Sequence, residues 1–183
     1  QKSHELSTAE RGTMIVRQGG NMLDLVNQIL DANKVSSEIG TPTWSHGDIV
    51  AYVRMVKESF DIPARQKHVE LGFFPTSFSI EADFAPDYLQ KILYNLIANA
   101  LKFTPEYGKV HIHLSQDEEN IVLKVVDNGV GISEYDFDHI FEPFYTGVKA
   151  DSSVSTGIGL SLLKQIVNAL KGNIEAQSIS GQG

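Results

Sequence analysis

The chain has no cysteine in its 183 residues, which removes disulfide scaffolds, thiolate metal centres and thiol redox chemistry together. It also has no run of lysine or arginine. Its 15 basic side chains stand against 23 acidic ones, a formal charge of -8. Nucleic acid is disfavoured as a partner, because neutralising a phosphate backbone needs a basic face. Long apolar stretches are missing as well: residues 121–126 are interrupted by Lys124 and fall far short of the roughly 18 residues of a membrane span. No signal-peptide pattern, internal repeat or low-complexity tract is present. What remains is a length suited to one well-buried domain, on a prior of roughly 100 to 200 residues each.

Periodicity organises that length. Residues 13–38 read as a helix, with Ile15, Met22, Leu25, Ile29 and Ala32 at helical steps and Val26 and Leu30 widening the stripe. Such a stripe suits a partner helix in a bundle or the core of a globular domain. Gly40-Thr41-Pro42 ends it, since proline holds its predecessor extended, and we place a domain boundary there, giving units 1–40 and 41–183. An edge strand is expected at 44–46. A helix over 48–60, with Ile49, Val53, Val56 and Phe60 on one face, is expected to end near Pro63. Residues 68–74 and 78–84 read as a strand pair joined at Pro75-Thr76. A long helix follows over 86–103, opened by Pro86 and apolar along Leu89, Ile92, Leu93, Leu96, Ile97 and Ala100. Strands at 109–114 and 121–126 bracket an acidic turn, a helix is expected over 158–170, and Gly172 leads into a last strand at 173–177. The order predicts an α+β fold in two layers, helices on one face of a mixed, mostly antiparallel sheet.

Four short blocks stand out on this frame. In Asn95-Leu-Ile-Ala-Asn99-Ala-Leu-Lys102-Phe103-Thr104, two carboxamides four residues apart share a helix face with a lysine three residues on. A carboxamide oxygen is a hard donor that suits Mg²⁺ together with phosphate and water oxygens. Asp127-Asn-Gly129-Val-Gly131 ends a strand with an acceptor-only carboxylate, matched to the exocyclic amine of adenine and mismatched to the carbonyl of guanine; Ile132 is placed to add apolar cover. Phe141-Glu-Pro-Phe144-Tyr145 precedes a polar tract over 146–155. Ser155-Thr156-Gly157-Ile158-Gly159-Leu160 enters a helix whose first amides lack intrahelical acceptors and suit an anion. Each block also has a purely structural reading: asparagines anchoring loops, an Asp-Asn-Gly turn, core aromatics and a helix entry.

In this order and spacing the blocks resemble the N, G1, F and G2 boxes of the ATP-binding catalytic domain of sensor histidine kinases. The resemblance covers about residues 43 to 183, and residues 13 to 38 more loosely, as the second helix of a dimerisation hairpin. It implies the Bergerat fold and binding of ATP with Mg²⁺. The metal role falls chiefly to Asn99 with Asn95 in support, triphosphate neutralisation to Lys102, and nucleotide contacts to Phe103, Asp127, Gly129, Gly131, Ile132, Tyr145 and residues 155–160. It further implies a lid over the nucleotide at 146–155 and phosphoryl transfer to a histidine on a dimerisation domain. The implied partners are that domain, a response regulator and a second copy of the parent. The fragment is expected in the cytoplasm without membrane contact, its parent anchored in the inner membrane. Two departures stand out. Ser155 replaces the first of three glycines, and Asn95 occupies the place where ATP hydrolases of the superfamily carry a glutamate base, so hydrolysis is the alternative, as is nucleotide sensing without catalysis. Ser3-His4-Glu5-Leu6 looks like the start of a phosphoacceptor box, yet only one long helix fits between His4 and Pro42 where a hairpin needs two. We therefore expect the acceptor histidine elsewhere, and both ends of the chain to be trimmed relative to the family.

Overall fold

The computed structural model describes residues 41–147 and 157–183. The helix expected over 13–38, His4, and site residues Ser155 and Thr156 lie outside the described residues.

Strand β1 (Ser45–Asp48) pairs antiparallel with β3 (Glu81–Phe84) in a two-stranded sheet. Strands β2 (Glu70–Pro75), β4 (Lys109–Gln116) and β5 (Ile121–Asp127) form a second sheet in the order β2-β4-β5, with β2 parallel and β5 antiparallel to β4. Helices α1 (Ile49–Glu58), α2 (Asp61–Gln66), α3 (Pro86–Phe103) and α5 (Gly159–Ala169) complete the layer, and a one-turn helix α4 (Glu134–Phe137) follows the loop after β5. Alternation in β4 decides which face the helices take: Val110, Ile112 and Leu114 are buried while His111, His113 and Ser115 point the other way. The buried row meets Val53 of α1 and Leu93 and Ile97 of α3 in one core cluster. The expected architecture of helices on one face of a mixed, mostly antiparallel arrangement is the observed one.

Local chemistry fixes the joints. Asp48 caps α1 through Val50 N at 2.9 Å, and the same oxygen accepts from Ile80 N at 3.2 Å, so one carboxylate starts a helix and pins the approach to β3. This explains one correction. Residues 68–74 and 78–84 do not pair with each other, because Ile80 is drawn into the core and tied to Asp48 and Ile49, which sends β3 to β1. Strand β2 instead finds β4 in parallel across the connection through β3 and α3, as a parallel pair requires. A second correction concerns Pro63. The break in the helix comes at Ser59 and Phe60, and Pro63 sits in the first turn of α2, where its missing N–H is no loss. Third, residues 173–177 form no strand: Ile174 and Ala176 alternate with exposed neighbours, but no ladder partner pairs with them among the described residues.

Ile97 carries the packing of α3 on the sheet and is fully buried. Ile97→Ala is expected to cost about 2–5 kcal/mol, read as a shift in urea midpoint at unchanged slope. A loss under about 1 kcal/mol would mean that the core is not organised around this helix.

Candidate functional site

Helix α3 shows two working faces. Leu93, Ile97, Ala100 and Leu101 face the core, while Tyr88 and Ile92 pack against Ile158 and against Leu162 and Ile166 of α5. Asn95 and Asn99 continue the Tyr88–Ile92 stripe at the next helical steps, so helix geometry carries both carboxamides toward the N-terminal end of α5. Asn95 Nδ2 donates to Lys91 O at 2.9 Å, and its Oδ1 faces Gly159, where an added Cβ would lie 2.6 Å away. The first and fourth blocks therefore meet. Asn99 is half-buried and its carboxamide forms no hydrogen bond among the described residues. One step further along, Lys102 Nζ sits 5.2 Å from the ring centroid of Phe103.

At its start α5 has Ile158 in the capping position, with no side-chain cap and no acidic residue in the first turn. Its leading amides, at Gly159, Leu160 and Ser161, have no intrahelical acceptors and carry the positive end of the helix dipole. Gly157 has φ +66°, and a Cβ there would lie 2.5 Å from the carbonyl carbon of Phe144, so only glycine fits. Phe144 N donates to Gly157 O at 3.0 Å. The neighbouring Tyr145 hydroxyl donates to Asp136 Oδ1 at 2.6 Å, and that bond to a carboxylate, with burial and nearby negative charge, pushes the phenol up to about 12. Of the two phenylalanines, Phe141 is half-buried beneath Lys164 Nζ at 5.4 Å from its ring centroid. Phe144 is 73% exposed, contrary to a core role.

Asp127 stands at the end of β5 with one oxygen accepting from Gly129 N at 2.9 Å. This is the Asx turn that the Asp-Asn-Gly sequence suggests, and it leaves the second carboxylate oxygen outside the turn. Gly129 is needed for packing, since a Cβ on it would lie 2.5 Å from Phe103 O; Val130 N donates to that same carbonyl at 3.3 Å. Gly131 has φ +64° and turns its bare side to the Ile179 carbonyl, and Ile132 N donates to Ser178 Oγ at 2.8 Å. A side chain at either glycine would therefore run into protein backbone. A cavity of about 350 Å³ lies elsewhere, on the outer sheet face lined by Phe74, His113, Lys124 and Val126, and shares no residue with this site.

Sequence reasoning missed Ser133, Asp136 and Ser178. The first two carried a signal, for Ser133-Glu-Tyr-Asp136 is a capping-box pattern and Ser133 does cap α4. Ser178 had none. Nearby, Glu142 Oε1 lies 2.9 Å from His139 Nδ1 and raises the imidazole above its ordinary value. The raised group stabilises the fold fully below its unfolded pKa near 6.5, and that contribution is lost as pH rises through the higher folded value. Replacing His139 by Gln should therefore lower the melting temperature modestly at pH 5.5 and not at pH 9. A difference that persists unchanged at pH 9 would exclude the ion pair as its source.

Residues 85–183 match the family described as Histidine kinase-, DNA gyrase B-, and HSP90-like ATPase, which is more than half of the chain. The chain belongs to this family. The chain is 32% identical over 136 residues to the sensor protein CreC of Escherichia coli, covering 74% of the chain and 28% of that protein. It is 32% identical over 166 residues to the sensor histidine kinase WalK of Bacillus subtilis, covering 88% of the chain and 27% of the relative. Full-length ShkA, solved in complex with AMPPNP, superposes with a TM-score of 0.81 at 25% identity, over 97% of this chain and 38% of that one. The chain thus spans under a third of the length of these two curated relatives. No helix among the described residues is long and apolar enough to cross a membrane.

Proposed function

We propose that this chain binds Mg²⁺-ATP between the Asn95–Asn99 face of α3, the amino-terminal amides of α5 and the Asp127 turn, and presents the γ-phosphoryl group to a histidine of a dimerisation domain. The observation that carries the reading is the meeting of Asn95 with the uncapped start of α5 beside an Asn99 carboxamide that has no partner among the described residues. The donor set fits the ligand: a neutral hard oxygen for Mg²⁺, backbone N–H groups for phosphate and a carboxylate oxygen for the adenine amine. Bound Mg²⁺-ATP supplies the transferable phosphoryl group and the metal charge that offsets its oxygens. The chain contributes the rest. Asn99 holds the metal with Asn95 in support, Lys102 offsets charge, Asp127 selects the base, Phe103, Ile132 and Leu160 surround it, and Tyr145, packed against Gly157, serves the phosphate side. Gly157, Ile158 and Gly159 present the helix amides, and Ser155 and Thr156, which precede them in sequence, are assigned to the same phosphate contacts.

Transfer is favoured over hydrolysis because Asn95 cannot accept a proton and is already engaged with Lys91 O, so that position supplies no base to activate water. A domain that only positions ATP and offsets charge is sufficient when the nucleophile is an imidazole on a partner. On this reading residues 1–40 carry the segment that resembles the second dimerisation helix, and residues 41–183 are the catalytic unit of a dimeric, cytoplasm-facing kinase whose product serves a response regulator. ATP with Mg²⁺ is expected to raise the melting temperature of the chain by several degrees at a hundredfold excess over Kd, with GTP or metal-free ATP giving far less. Equal shifts for ATP and GTP, or none, would overturn the site. Labelled ATP should leave no stable phosphate on the chain alone, and stable label on His4 would refute an acceptor supplied from elsewhere.

A further inference from the structure

A chain of contacts runs from α4 to the start of α5 that nucleotide binding by itself does not explain. Asp136 accepts from two hydroxyls, Ser133 Oγ at 2.6 Å on one carboxylate oxygen and Tyr145 Oη at 2.6 Å on the other. Its own amide donates back to Ser133 Oγ at 3.1 Å, so the residue is fixed at backbone and side chain alike. Tyr145 in turn sits where the chain presses on Gly157: a Cβ at Gly157 would lie 2.6 Å from Tyr145 O and 2.7 Å from Tyr145 N. Two residues after Gly157 comes Gly159, seated against Asn95. Displacing Tyr145 cannot be absorbed at so tight a contact without moving the first turn of α5.

We propose that Asp136 is a positioning residue for the phosphates of the nucleotide: by holding the Tyr145 hydroxyl it sets, through Gly157, where the leading amides of α5 point. The inference rests on the Mg²⁺-ATP reading above. A carboxylate suits the task because two O–H donors need an acceptor-only partner, and charge-assisted bonds of this length are strong. Asparagine at the same place keeps one neutral acceptor oxygen and turns the other contact round, its –NH₂ donating to a hydroxyl, so both contacts lose the charge that strengthens them. The His139 ring lies beside that of Tyr145, with the centroids 5.3 Å apart.

The test uses the full chain and two probes, AMP-PNP with Mg²⁺ and adenosine, titrated by calorimetry against the wild type, Asp136→Ala, Asp136→Asn, Tyr145→Phe and the double variant Asp136→Ala with Tyr145→Phe. Each single loss is expected to weaken AMP-PNP about tenfold, as for a hydrogen bond to a charged group, with the double variant no worse than either single one. Asp136→Asn should fall between, and adenosine should bind all of them within about twofold of wild type, since it has no phosphate to misplace. Tyr145→Phe removes a single hydroxyl and keeps the test alive if Asp136→Ala fails to fold. AMP-PNP affinities within twofold of wild type, additive losses in the double variant, or equal losses for adenosine would each overturn the inference while leaving the ATP site standing. A wild-type chain that binds no AMP-PNP would overturn both.

Discussion

Asn99→Ala is expected to remove the Mg²⁺-dependent part of ATP affinity, a loss of about a hundredfold, with the melting temperature of the free chain unchanged or slightly raised. The two halves of that expectation come from different facts. Asn99 is half-buried on α3 with no hydrogen bond of its carboxamide among the described residues, so truncation breaks no hydrogen bond among them. Alanine is also the better helix former at that place, by about half a kcal/mol. If the carboxamide oxygen belongs to the metal shell, its loss appears only when Mg²⁺ is present. Calorimetric titration with ATP in Mg²⁺ and in chelator separates the cases. An unchanged affinity in Mg²⁺, or an equal loss in both, would sink the metal role. Asn95 behaves differently on the same helix, because it is bonded to Lys91 O and seated against Gly159. Truncating it should lower stability as well as affinity, which makes it the poorer probe of the metal although the family resemblance names both.

Most of this arrangement was legible in the sequence because periodicity and punctuation are local. Helix α3 begins at Pro86 and ends at Phe103 as the sequence pattern predicts, since a first-turn proline and a sustained apolar stripe need no knowledge of the rest of the chain. The β4–β5 hairpin was equally plain. What escaped is what depends on partners distant in sequence. Strand β2 looked like one arm of a hairpin, and only the burial of Ile80 and the reach of Asp48 across to its amide send β3 away to β1. Residues 173–177 alternate as a strand should, yet alternation reports a half-buried extended segment and cannot supply a ladder partner. The glycines show the same limit at the site. A Cβ on Gly129 or Gly131 would meet the Phe103 or the Ile179 carbonyl, so packing against the protein's own backbone is enough to require both glycines. Sequence can say that a side chain is missing there and cannot say what fills the gap.

Asp127 gives the sharpest expectation about the nucleotide, and the turn it makes is the reason. Its Oδ1 is held by Gly129 N at 2.9 Å, which fixes the plane of the carboxylate and leaves the other oxygen to a ligand. In Asp127→Asn the amide oxygen is the only atom able to accept from Gly129 N, so the turn survives and the –NH₂ group is forced into the outward place. A donor then faces the amine of adenine, itself a donor, and both go unpaired. ATP affinity should fall about a hundredfold, as when a site built for one hydrogen-bonding pattern meets its opposite. Guanine presents a carbonyl at that position, so GTP should gain and the preference for ATP should collapse or reverse. Stability without ligand should change little, because the bond that shapes the turn is kept. Competition of ATP and GTP for the variant reads the ratio directly. A ratio equal to that of the wild-type chain would mean that Asp127 only makes the turn and that base selection lies with other groups.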